Sequence, residues 1–285
     1  MDLDLLSADE LEALMNPRIA VAEAEDYIAD YIQRSAEARE RLQGRLDIAY
    51  GDTPLQNLDV FAAPESGNAP IHIFIHGGYW RALDKSAGSF VAEALVEAGA
   101  TTVMLNHDLC PSVTLDDIVG QVRSAVAWIH ANAGDLGGDP NRIFISGHSA
   151  GAHLAMMALG HDWESDGLPP DLIKGVVGVS GVYDLAPILK MSVNDDVRLS
   201  NDMAARNSPM LHPPATSAPL VVAVGQQETK AFVAQSKDFH QVCMGAGLDC
   251  QYLECPGDDH FSVLYSLANP ISGLCGLVLR QMSLA

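Results

Sequence analysis

The sequence predicts an α/β fold, with one mostly parallel central sheet and helices on both of its faces. Three observations carry that expectation. From residue 57 onward, short and nearly continuous apolar, β-branched runs alternate with longer stretches of helical spacing, the pattern of strands buried on both faces. The runs stop at turns rich in Gly, Pro, Asn and Asp. One run, Arg142-Ile143-Phe144-Ile145, leads directly into Gly147-His148-Ser149-Ala150-Gly151 and then into the helix former Ala152–Leu159. With 285 residues, 48% of them apolar, the chain can bury one large core and is read as a single domain over 1–285.

Residues 1–45 read as an N-terminal helical extension. Ser7-x-x-Glu10 is a capping box, and Val21 to Leu42 is rich in Ala, Glu and Arg with apolar residues at helical spacing. The extension is expected to pack as an arm; covering the site, or pairing two copies as a homodimer, are its alternative roles. Asn57–Ala62 is a short strand ended by the turn over 63–68, and Ile71–Ile75 is a buried strand. Ser86–Ala98 reads as helix stopped by Gly99, Thr101–Leu105 as strand, and Thr114–Asn132 as helix with Val119, Val122, Val126 and Ile129 on one face. Further strands are expected at Gly175–Ser180, Pro219–Val224 and Asp249–Leu253, with helices at Ala231–Met244 and Ile271–Met282. Residues 184–218 break this rhythm with Asp, Asn and Pro and are read as a small lid or loop insertion.

Composition narrows the function. Sixteen basic residues against 37 acidic ones give a formal charge of −21, which argues against nucleic acid and anionic membrane surfaces as partners. No apolar run reaches 18 residues, and the acidic start Met1–Glu10 lacks the basic region of a secretory signal. Five cysteines without a C-x-x-C pair are expected to be reduced thiols in the cytoplasm. His72, His76, His148 and His153 lack H-E-x-x-H spacing or a supporting carboxylate, and the glycines at 134–138 precede a strand rather than follow one. Neither a metal nor a phosphate-bearing cofactor is expected.

A strand that turns sharply into a helix with serine at the corner is a nucleophile elbow, so Ser149 is the candidate nucleophile. The general base should be a late histidine in a loop beyond a strand. His260, in Pro256-Gly257-Asp258-Asp259-His260-Phe261, fits; His240 reads as a residue on a helix face. The acid should follow the preceding strand, and Glu228 stands three residues beyond Gly225. Asp258 and Asp259 are its rivals. The run His76-Gly77-Gly78-Tyr79-Trp80 follows the strand at 71–75 and suits an oxyanion hole, with the amides of Gly78, Tyr79 and Ala150 as donors and Gly77 permitting the turn. His76 reads as a structural hydrogen-bond partner.

These four segments, H-G-G-Y-W, G-H-S-A-G, Gly225-Gln226-Gln227-Glu228 and Asp259-His260-Phe261, together resemble the kynurenine formamidase (arylformamidase) branch of the α/β-hydrolases. Glu228 stands where that family usually has aspartate. The resemblance spans about residues 45–282. It implies an α/β-hydrolase fold and cofactor-free hydrolysis of a small aryl formamide of the N-formylkynurenine type, through an acyl-enzyme on Ser149. Trp80, His148, Tyr183 and Phe261 would then border the aromatic substrate. A carboxylesterase for short acyl esters is the alternative, and a non-catalytic ligand-binding homologue the third reading.

Overall fold

The computed structural model describes residues 3–65 and 67–285. Ser66, inside the expected 63–68 turn, and Met1 and Asp2 of the extension lie outside the described residues. The chain runs through α1 (Ala8–Met15), α2 (Pro17–Ala20), α3 (Ala24–Leu42), β1 (Arg45–Ala49), β2 (Asn57–Phe61), β3 (Ala69–Ile75), α4 (Ala92–Glu97) and β4 (Thr101–Leu105). It continues through α5 (Leu115–Asn132), β5 (Gly138–His148), α6 (Ala150–Leu159), β6 (Ile173–Val179), α7 (Asn194–Val197), α8 (Asn201–Arg206) and β7 (Leu220–Gly225). α9 (Lys230–Gly245), β8 (Cys250–Cys255), α10 (Val263–Ala268) and α11 (Gly273–Gln281) close it.

The eight strands form one sheet in the order β1-β2-β4-β3-β5-β6-β7-β8. β2 pairs antiparallel with both β1 and β4, and every other neighbouring pair is parallel. β3, β4 and β7 are buried along their whole length, as central strands covered on both faces must be. Alternation then splits the core. Ile71, Ile73, Ile75, Val103 and Leu105 pack with α1, α5, α6 and α9 on one face. Phe74, Met104, Phe144 and Val177 pack with α3, α4, α10 and α11 on the other.

Local chemistry sets several ends. The capping box at Ser7 forms as read, and Thr114 makes a second one with Asp117. α3 stops at Leu42 because Gln43 takes a left-handed cap at φ 49°. The chain then forms β1 rather than continuing as helix to 45. β1 is a mostly exposed edge strand of five residues, too short for its alternation to show in the sequence. The helix expected over 86–98 is instead two single 3-10 turns (Lys85–Ala87 and Ser89–Val91) followed by α4. The reason is Gly88, where a Cβ would sit 2.8 Å from the Phe74 ring, so the chain runs too close to β3 for a regular helix. The 184–218 insertion holds a 3-10 turn at Ala186–Lys190 together with α7 and α8. α10 had no periodic signal in its six residues.

Candidate active site

The candidate reacting groups gather beyond the carboxyl ends of β3, β5, β7 and β8. Ser149 sits between β5 and α6 with φ 56° and ψ −119°, a backbone state that costs a non-glycine residue roughly 1–3 kcal/mol. Its neighbours explain the G-x-S-x-G spacing. A Cβ on Gly147 would lie 2.2 Å from the carbonyl oxygen of Gly151, and one on Gly151 would lie 2.1 Å from that of Ile75. Only bare backbone lets the first turn of α6 press this closely onto β3. The Ser149 amide donates to the Val179 carbonyl at 2.8 Å, tying the turn to β6.

His260 follows β8 and is 4% exposed. Its Nδ1–H donates to Glu228 Oε2 at 2.7 Å, and the Glu228 side chain is fully buried. That bond fixes the tautomer and leaves Nε2 as the free base. The other carboxylate oxygen, Oε1, accepts from the Gly225 amide at 2.8 Å and from the Ser180 hydroxyl. The Phe232 ring lies 4.4 Å from the imidazole, centroid to centroid. The rival acids are committed elsewhere. Asp259 Oδ1 accepts from the amides of Phe261 and Ser262 at 2.7 and 2.8 Å. Its Oδ2 accepts from Tyr27 at 3.1 Å. Asp258 accepts from Ser266. His240 lies on α9 and meets the Cys250 carbonyl, away from the site.

The H-G-G-Y-W loop is held in an unusual shape. Gly78, Tyr79 and Trp80 all have positive φ, at 109°, 49° and 56°, and the amides of Arg81 and Ala82 close the turn onto the Gly78 carbonyl at 3.1 Å. Among the described residues, nothing accepts from the main-chain N–H of Gly78, Tyr79 or Ala150. Unpaired amides of this kind around a buried hydroxyl can hold a developing oxyanion. His76 has the Gly77 carbonyl 2.7 Å from Nδ1 and Asn106 Oδ1 3.2 Å from Nε2, and its single N–H in the neutral ring donates to one of these two oxygens. Burial holds its pKa below the ordinary value, which suits a structural, uncharged ring.

Ser149, His260, His148 and Phe261 line one cavity of about 240 Å³ with Gly77, Gly78 and Tyr79. His148 donates Nε2–H to the carbonyl of His260 at 2.8 Å, and burial, with His260 nearby, lowers its pKa to about 3. Trp80 and Tyr183, expected at the substrate surface, do not line this cavity; both are fully buried. Trp80 donates Nε1–H to His153, which donates in turn to the Asn207 carbonyl. Tyr183 stacks on Phe239 at 4.2 Å in the space left by Gly178 and Gly181. Aromatic character placed them in loops near the site, but packing decided which way the rings point.

The extension supplies groups that motif reading passed over. Asn16, Pro17, Arg18, Ile28 and Tyr31 form part of the cavity wall. Tyr31 donates its hydroxyl to the Phe261 carbonyl, and Tyr79 donates to the Met15 carbonyl. Tyr27 and Tyr31 are one helical turn apart, and that spacing was the only hint of a shared target. Ser180 was legible in hindsight as the residue ending a parallel strand, where sites collect.

A family model described as BD-FAE matches residues 58–243. Kynurenine formamidase of Danio rerio is 33% identical over 99% of this chain and 98% of its own. Esterase LipQ of Mycobacterium tuberculosis is 29% identical over 75% of this chain and 56% of that protein. A solved thioesterase candidate from Silicibacter sp. superposes with a TM-score of 0.81 and 30% identity, over 92% of this chain and 96% of its own.

Proposed function

The chain belongs to the BD-FAE and kynurenine formamidase families, and on that premise we propose that it deformylates a single-ring aryl formamide of the N-formylkynurenine type. The observation that carries the reading is the Glu228–His260 bond, whose imidazole lines the same cavity as Ser149, Gly78 and Tyr79. An apolar cavity of about 150 Å³ accepts benzene, so about 240 Å³ suits one substituted ring.

In this mechanism Ser149 Oγ gives its proton to His260 Nε2 and attacks the formyl carbon. The carbonyl oxygen becomes an oxyanion facing the amides of Gly78, Tyr79 and Ala150, each worth on the order of 100- to 1,000-fold in rate. Glu228 stabilises the imidazolium. His260 then protonates the aryl nitrogen, the C–N bond breaks, and the arylamine leaves. Water, deprotonated by the same imidazole, attacks the formyl ester; the bond from the formyl carbon to Ser149 Oγ breaks, Oγ takes the proton back from His260, and formate departs.

The test compares kcat/KM for N-formylkynurenine with that for p-nitrophenyl acetate. The formamide is expected to match or exceed the ester. Ester turnover larger by several orders of magnitude would remove the formamidase reading and leave a short-chain carboxylesterase, which the same relay serves and which the similarity to LipQ favours.

A further inference from the structure

Two neighbouring residues at the end of β6 hold two different members of the relay. The Val179 carbonyl accepts from the Ser149 amide at 2.8 Å, which pins the corner that carries the nucleophile. The next residue, Ser180, donates its own amide to the Ala223 carbonyl of β7 at 2.8 Å. Its hydroxyl donates to Glu228 Oε1 at 2.5 Å. Nucleophile and acid are therefore tied to one two-residue unit. We infer that Ser180 is a positioning residue of the relay, whose hydroxyl holds the Glu228 carboxylate so that Oε2 meets His260. The inference rests on the serine–histidine–glutamate relay proposed above and not on which acyl group is cleaved.

The backbone at this point is strained in a way that packing alone does not require. Ser180 is fully buried and has φ 54°, a left-handed state that a residue with a Cβ adopts only at a cost. Glycine at 180 would relieve that cost but would bring no hydroxyl. Such strain persists where surrounding bonds over-determine it, and the bonds of Val179 and Ser180 do so here.

Glu228 needs such a hold. A glutamate side chain has much rotamer freedom to lose, and a carboxylate as buried as this one requires donors for its charge. Oε2 has His260 Nδ1–H at 2.7 Å, and Oε1 has the Gly225 amide at 2.8 Å beside the Ser180 hydroxyl. Gly225 stands three residues before Glu228 and belongs to the same turn, so its amide moves with the acid. Ser180 comes from β6 and ties Oε1 to a strand outside that turn. A bond from a neutral hydroxyl to a charged acceptor is among the stronger ones a side chain can make.

The test measures S180A and S180G, each alone and combined with E228Q, on whichever of N-formylkynurenine and p-nitrophenyl acetate wild type turns over faster. Both single variants are expected to lower kcat by about 10- to 100-fold, the range for a hydrogen bond to a charged group, with KM within about threefold of wild type. S180G also relieves the backbone, so a matching loss in the two variants assigns the effect to the hydroxyl. In the E228Q background the same substitutions are expected to cost less than about threefold, because a group that acts through Glu228 has nothing left to position. The rate at which a fluorophosphonate labels Ser149 is expected to follow the same pattern. That readout needs no substrate, so failure of the deformylation reading leaves Ser180 tested. Equal losses with and without E228Q, or near-wild-type kcat in S180A and S180G, would overturn the positioning role.

Discussion

Glu228 can be separated from its rivals by what each carboxylate touches. Two of the donors to Glu228, the Gly225 amide and His260 Nδ1–H, face one oxygen each, so Glu228→Gln must turn an NH2 group toward one of them. In a serine–histidine–acid relay the loss of the acid costs about 10⁴ in kcat through the wrong tautomer. Glu228→Gln is expected to fall by roughly that factor, with Ser149→Ala and His260→Ala falling at least as far. Asp259 makes bonds to the amides of its own turn and to Tyr27. Asp259→Asn is therefore expected to cost on the order of 1 kcal/mol of stability and to keep kcat within about tenfold of wild type. Near-wild-type kinetics in Glu228→Gln, with collapse in Asp259→Asn, would reverse the assignment.

Glycine shows what elements impose on each other. Gly151 has no room for a Cβ because α6 rests on the Ile75 carbonyl. Gly151→Ala must push helix and strand apart, and is expected to lose about 3 kcal/mol or more, a drop in Tm on the order of 10 °C. Gly120 lies exposed in α5 with open space around it; Gly120→Ala is expected to gain roughly 0.5–1 kcal/mol. Thermal unfolding of the two variants checks both signs. The same contrast explains what the sequence could tell. Ser149, Glu228 and His260 follow the carboxyl ends of β5, β7 and β8, so position in the chain made them candidates before any coordinates. β1, α10 and the 3-10 turns near Gly88 are too short for periodicity, and the inward rotation of Trp80 and Tyr183 depends on partners far away in sequence. The contribution of α2 and α3 to the cavity is long-range in the same way, and no local pattern encodes it.

At the scale of the molecule, buried histidines set the response to acid. Desolvation lowers the pKa of His72 and His107 to about 3, of His148 to about 3 with help from His260, and of His153 to about 4. All four are lowered from 6.5, so below that pH the unfolded chain binds protons that the folded chain refuses. Stability is full above 6.5 and is lost as pH falls toward 3, by about 1.4 kcal/mol per histidine per pH unit. Denaturant titrations across this range are expected to show a steep acid limb. His72 has no hydrogen-bond partner for either ring nitrogen among the described residues, so His72→Leu is expected to fold and to make that limb shallower. An unchanged limb in His72→Leu would show that other groups dominate.

The wall that an approaching molecule meets and the atoms that would cut it come from distant stretches of chain. α2 and α3 supply Pro17, Arg18, Ile28 and Tyr31, whereas serine, imidazole and carboxylate follow strands more than a hundred residues later. Drift in the first thirty or so positions can therefore re-aim the enzyme toward new compounds and leave bond cleavage untouched. Grafting this arm from one relative to another would transfer taste without transferring chemistry.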